Sequence, residues 1–195
     1  MNPTFSAINL VEDFTTDLLQ NLGKGENYGI ELTYQQYLTK GFYMLANATL
    51  YNATYSGLDG IKRNSRYNGK YIFNLTIGKE WERTKNRMIG TSVRVVWLGG
   101  YYERAMNEEA SIRNRRLIYS SSEAFTVKQP DYFRPDFRIY LKKSKQKYSR
   151  TLALDIQNVA GYQNTSYSYF DILQNKIVRQ YQLGLIPILS YRWEF

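Results

Sequence analysis

Tyrosine and arginine crowd one stretch of the chain. Between residues 99 and 135 stand Tyr101, Tyr102, Arg104, Arg113, Arg115, Arg116, Tyr119, Tyr132 and Phe133, and the chemistry open to them is recognition rather than bond-breaking. Aromatic faces attract cations and stack on sugar rings, and the guanidinium fork grips carboxylates and anionic chelates. A segment of this length without strand periodicity is a loop, and loops on rigid scaffolds often carry binding. The same residues also suit plain solvation or contact with lipopolysaccharide.

Catalytic groupings are sparse. Glu108-Glu109 and Glu80/Glu82 are carboxylates close in sequence, the residue type that glycosidases pair, but nothing around them predicts a cleft. The chain has no cysteine and no histidine, which removes disulfides, thiolate and imidazole metal sites, and the Ser-His-Asp and Cys-His nucleophile arrangements. The sequence therefore predicts a protein that is not an enzyme and needs no cofactor. The Asn-X-Thr/Ser patterns at Asn47, Asn52, Asn74 and Asn164 lie mostly within strand-like segments, where chance explains them better than glycosylation.

A net charge of +9 raises nucleic acid as a partner. The densest runs, Arg113, Arg115, Arg116 and Lys142, Lys143, Lys145, Lys147, fall at loop and turn positions rather than on one periodic face. That distribution argues for solvated loops or contact with anionic lipid or ligand, and against nucleic acid.

The elements that must hold the tyrosine and arginine loop read as strands. Tyr28, Ile30, Leu32 and Tyr34 alternate with Glu31, Thr33 and Gln35, and the same period of two recurs at 42–55, 70–81, 89–97, 137–142, 151–157 and in the closing segment. In the 42–55 segment the facing is less plain, and Phe42, Met44 and Leu50 are read as outward. The final residues give Pro187, Leu189, Tyr191, Trp193 and Phe195 one face and Ser190, Arg192 and Glu194 the other. Arg94, Arg138, Asp155, Glu31, Arg192 and Glu194 fall on the polar side, where a watery lumen would make them cheap. They are expected to pair with one another.

Connections alternate between short (39–41, 82–86, 144–147) and long (56–69, 99–135, 160–180), and Asn107-Glu108-Glu109-Ala110 caps a short helix within the longest. Outer-membrane barrels have short turns on one side and long loops on the other, an apolar outer wall and aromatics at both interfaces. The 19 tyrosines against 9 phenylalanines suit such interfaces, since the ring is apolar and the hydroxyl wet. No apolar run reaches the length of a transmembrane helix. The predicted fold class is all-β, an antiparallel transmembrane β-barrel of which residues 1–195 supply seven carboxyl-terminal strands. Seven is an odd number and an open sheet leaves bare edges in lipid, so further strands are expected before residue 1. Met1-Asn2-Pro3-Thr4-Phe5 does not read as a secretory leader.

Several stretches resemble those of one family. They are Asn21-Leu22-Gly23-Lys24-Gly25-Glu26-Asn27-Tyr28-Gly29-Ile30-Glu31, Tyr67-Asn68 through Gly78-Lys79-Glu80-Trp81, Asp136-Phe137-Arg138, Leu154-Asp155-Ile156-Gln157-Asn158 and Tyr191-Arg192-Trp193-Glu194-Phe195. In order and spacing they look like the carboxyl-terminal barrel of TonB-dependent outer-membrane receptors of the Bacteroidetes kind. The resemblance implies the last seven strands of a 22-stranded barrel, without its plug and signal peptide, in the outer membrane of a Gram-negative cell. It implies uptake of a bulky nutrient, an iron chelate, cobalamin or glycan, powered by the TonB complex through the plug. It also implies outer-membrane lipid as a partner, and the barrel assembly machinery reading Phe195 with Trp193 and Tyr191 as its signal. The alternative is a soluble antiparallel β-barrel or sandwich that binds a ligand or nucleic acid. In it the apolar face is core, whereas in a membrane barrel Tyr71, Trp81, Trp97 and Trp193 form girdles near the strand ends.

Overall fold

A computed structural model of the chain describes residues 4, 6–9, 20–120 and 124–195. All of Met1-Asn2-Pro3-Thr4-Phe5 except Thr4, read above for a leader, lies outside the described residues. The strands in chain order are β1 (Lys24–Thr39), β2 (Phe42–Ser56), β3 (Lys62–Asn64), β4 (Tyr71–Thr84), β5 (Arg87–Leu98), β6 (Tyr102–Arg104), β7 (Phe125–Lys128), β8 (Tyr132–Ser144), β9 (Ser149–Gln157), β10 (Thr165–Asp171), β11 (Lys176–Tyr181) and β12 (Ile186–Glu194), with helix α1 (Glu108–Asn114) between β6 and β7.

Seven of the strands form one antiparallel meander in the order β1-β2-β4-β5-β8-β9-β12, with β3 pairing onto β2. The tight turns β1–β2, β4–β5 and β8–β9 lie at one end of this sheet, and the long connections β2–β4, β5–β8 and β9–β12 at the other, as the spacing of the periodic segments predicts. The first turn works because Lys40 and Gly41 both take positive φ, 51° and 76°, and a Cβ on Gly41 would sit 2.2 Å from the Glu80 carbonyl oxygen. The meander does not close on itself among the described residues: β1 and β12 each pair on one side only.

Alternation converts directly into two faces. One register row runs Met44–Ile77–Val93–Phe137–Ile156–Pro187; the next toward the turns runs Phe42–Lys79–Thr91–Ile139–Leu154–Leu189, its Lys79 and Thr91 the polar members, and the one after it Trp81–Ile89–Leu141–Leu152–Tyr191. Among the described residues nothing packs over this face: Ile30 is 78% exposed, Leu32 70% and Leu189 73%. The 42–55 facing is as read, with Phe42, Met44 and Leu50 on the apolar side.

The other face is polar and internally bonded. The Asn47 amide donates to Glu31 at 2.6 Å and Thr33 at 3.0 Å, Arg134 grips Asp136 at 2.9 Å, Arg138 meets Asp155 at 2.9 Å, and Arg192 stands 3.7 Å from Glu194. Of the expected lumenal pairings, Arg138 with Asp155 and Arg192 with Glu194 form. Arg94 faces Asp136 across the ladder, but Asp136 is taken by Arg134.

Pro135 sits inside β8 without breaking it. Its carbonyl accepts from Val159 at 2.8 Å, so its nitrogen points to the same side, just past the end of β9, where no ladder partner waits. Strand β8 therefore begins at Tyr132, five residues earlier than the alternation suggested.

Candidate functional site

The long connections build a second layer at the loop end. Strands β6 and β7 form one ribbon and β10 and β11 another, and backbone bonds tie the loops together: Tyr102 N–H donates to the Arg66 carbonyl at 2.8 Å and Gln182 N–H to Asn164 at 2.8 Å. The Asn164 amide bonds both the Phe133 N–H (2.8 Å) and carbonyl (2.9 Å), anchoring the β10–β11 ribbon to the start of β8. Asp131 accepts from the Tyr71 hydroxyl and from the Gly100 N–H at 2.9 Å. Burial raises the Asp131 carboxyl pKa, but these hydrogen bonds and the Lys128 ammonium outweigh it and hold the group below the ordinary range. Loops meet closely where side chains are absent: a Cβ on Gly99 would lie 1.7 Å from the Gly69 carbonyl oxygen.

Helix α1 forms as the sequence predicts. Asn107 caps it, its side chain accepting from Ala110 N–H at 2.9 Å, with Glu108 and Glu109 in the first turn and Arg113 in the last, and Arg115 ends it at φ 51°. Ser111 is fully buried and bonds Asn107 and Ile118.

Among these loops lies a cavity of about 450 Å³, within the range of small-molecule sites. Tyr101, Tyr102, Arg104, Tyr119 and Tyr132 line it. Arg104 stacks 4.6 Å from the Tyr119 ring centre, and Tyr101 meets Tyr67 edge-on at 5.2 Å. Arg113, Arg115 and Arg116 are not part of it; they are exposed around the end of α1. Phe133 is also outside it, packing on Tyr162 at 5.8 Å and facing with Trp97 on the apolar side.

The sequence reading passed over Arg66, Tyr67, Phe125, Tyr167 and Asn9, which complete the wall. The Arg66 guanidinium reaches the rings of Tyr67 (5.7 Å) and Phe125 (5.9 Å), and the Arg66 backbone N–H donates to the Asn9 side-chain oxygen at 2.8 Å. Only Tyr67 carried a signal, as the first residue of a stretch that carries the family resemblance. Glu103, the one carboxylate on the wall among the described residues, is engaged by Gln129 at 2.9 Å and Arg179 at 3.4 Å. Among the described residues the Asn9 amide nitrogen and the Thr165 hydroxyl, both buried on this wall, find no hydrogen-bond partner, an uncommon and costly condition.

The described wall thus presents two guanidinium groups within 6 Å of aromatic ring centres, several phenols, and a single carboxylate already bonded. No group of three or more acidic, cysteine or histidine side chains able to hold a metal occurs among the described residues.

The apolar face carries aromatics at both ends. Tyr71, Phe73 and Trp97 cluster at 5.5 to 5.7 Å at the loop end, while Trp193 meets Tyr148 at 6.3 Å and Phe195 at 6.5 Å at the turn end, with Tyr191 and, four strands across the sheet, Trp81 in the adjoining row. No described helix is long and apolar enough to cross a membrane. Compared with protein-family profiles, curated proteins and solved structures, the chain matches none.

Proposed function

We propose that the seven-strand meander is part of the wall of a transmembrane β-barrel in an outer membrane, of the TonB-dependent receptor kind, and that its loop-end cavity contributes to capture of a bulky nutrient for import. One observation carries the reading: an apolar face spans all seven strands with no layer over it among the described residues, backed by a polar, self-bonded face. Each of the seven meander strands has at least 9 residues, enough to cross a bilayer when tilted. Aromatic clusters at the two ends of the apolar face suit the two interfaces of such a bilayer, and short turns segregate from long loops as in outer-membrane barrels.

The bare edges of β1 and β12 are where further strands of a 22-stranded barrel would pair, since unpaired backbone groups are costly in lipid. Phe195, Trp193 and Tyr191 serve in this reading as the signal to the barrel assembly machinery, and a plug elsewhere in the receptor carries the coupling to the TonB complex. The chain performs no catalysis of its own in this role. A soluble barrel or sandwich would need a second layer on Ile30, Leu32 and Leu189, and among the described residues none is present.

The test is fractionation of cells expressing the gene, with alkaline carbonate washing followed by detergent. Retention in the outer-membrane pellet until detergent is added is the expected result. Recovery of the chain as a folded, monodisperse soluble protein would overturn the proposal and leave the soluble binding fold in its place.

A further inference from the structure

At the turn end the last register row on the apolar face is cationic. Arg87 of β5 faces Lys143 of β8, Lys143 faces Arg150 of β9, and Arg150 faces Trp193 of β12. Directly opposed residues in an antiparallel pair have Cα atoms about 4.5 to 5.5 Å apart, and like charges at such positions repel. No ion pair ties any of the three to a carboxylate among the described residues, and all three side chains are exposed. The nearby Glu194 is on the opposite face, bonded to Ser149 at 2.9 Å.

The row is also organised. Arg150 lies between two rings, 4.9 Å from that of Tyr148 and 4.8 Å from that of Trp193, and Lys145 sits 5.5 Å from Tyr148. The Tyr148 phenol is held below its ordinary pKa, first by the Lys145 ammonium and further by Arg150 and Lys143, against a smaller opposing effect of burial. A step of two residues along a strand, about 7 Å, separates this row from the wholly apolar row of Ile89, Leu141, Leu152 and Tyr191. Uncompensated cations and interfacial aromatics thus meet where an apolar wall ends.

We propose that Arg87, Lys143 and Arg150, with Tyr148 and Trp193, form a binding site for the phosphate of an anionic phospholipid in the leaflet at the turn end. The site rests on the reading of the apolar face as lipid-facing. One anionic headgroup placed over Lys143 supplies the negative charge that the ladder lacks, and the Trp193 and Tyr148 rings keep Arg150 pre-set beside it.

The test refolds the whole chain from urea in the presence of phosphatidylcholine vesicles, or of the same vesicles with about a quarter phosphatidylglycerol, and measures association by flotation. The expected result is association with both, about tenfold stronger with phosphatidylglycerol. Arg87→Gln/Lys143→Gln/Arg150→Gln should lose that preference, while Arg113→Gln/Arg115→Gln/Arg116→Gln, which removes the same charge at the loop end, should keep it. Equal loss in both variants would overturn the proposal, because the preference would then follow net charge alone. Association with both vesicles but no preference in the unaltered chain would overturn it and leave the barrel reading standing. Association with neither would overturn both. Should the triple variant fail on phosphatidylcholine itself, Lys143→Gln alone carries the same comparison.

Discussion

Arg138 on β8 donates from one guanidinium nitrogen to both carboxylate oxygens of Asp155 on β9, at 2.9 and 3.1 Å, across directly facing ladder positions. The pair lies on the polar face with Arg138 partly open to solvent, so screening limits its strength. A double-mutant cycle with Arg138→Ala and Asp155→Ala should give a coupling of about 0.5 kcal/mol, as for exposed pairs, read from urea unfolding of the vesicle-inserted chain. The coupling should shrink as salt is raised. A coupling above about 3 kcal/mol would instead mark a dry, buried pair and contradict a watery face.

Tyr140 crosses the neighbouring strand to reach the one beyond it. It lies flat over Gly90 of β5, where a Cβ would come within 2.2 Å of its Cζ, and its hydroxyl donates to Glu80 of β4. Tyr43 covers Gly78 in the same manner, at 2.1 Å. Gly90→Ala should therefore destabilise by roughly 1 to 2 kcal/mol, because the ring must swing away and lose Glu80. Tyr140→Ala should make the Gly90→Ala change nearly silent when the two are combined, and the urea midpoints of the four proteins decide it.

Asp131 gives the loop end a dependence on acid. Its carboxyl is pulled below the ordinary range by Tyr71, Gly100 and Lys128 despite partial burial. A depressed folded pKa stabilises the fold above the unfolded value of about 3.9 and the gain is lost as pH falls through the folded value. Exchange of the Gly100 amide should thus accelerate, relative to its intrinsic rate, only below about pH 4, and Asp131→Asn should remove that acid-dependent step. Hydrogen exchange across that range measures both.

The strands were legible because a sheet with one apolar face writes its period of two into residues such as Ile30, Leu32, Leu75, Ile77, Leu189 and Tyr191. The helix cap at Asn107 was legible for a similarly local reason. What escaped depended on distant partners. Tyr132 and Phe133 read as loop because Pro135 follows, yet the strand tolerates this proline only because β9 stops beside it. The ribbons β6–β7 and β10–β11 are too short for their alternation to stand out. Much of the cavity wall, Asn9, Arg66 and Tyr167 among it, is assembled from connections far apart in sequence, and no spacing rule joins them. Tyr101, Tyr102, Arg104, Tyr119 and Tyr132 were found because one connection supplies all five, whereas Arg113, Arg115 and Arg116 were swept in by the same composition and are held away from the cavity around the end of α1.

Adjacent residues on opposite faces offer the sharpest discrimination between lipid and water. Leu75 stands on the apolar face between Ala46 and Val95, and Asn74 on the polar face between Asn47 and Val96. In a membrane barrel an arginine near mid-bilayer on the outer wall costs about 2 to 4 kcal/mol, while the lumen tolerates one. Leu75→Arg should lower vesicle-inserted stability by that amount and Asn74→Arg by less than about 1 kcal/mol. Both strands, the turn and the ladder are common to the two variants, so propensity and register cancel in the comparison. If Leu75→Arg proves as mild as Asn74→Arg, the apolar face meets water or a polar partner rather than lipid, and the transmembrane reading fails at its foundation.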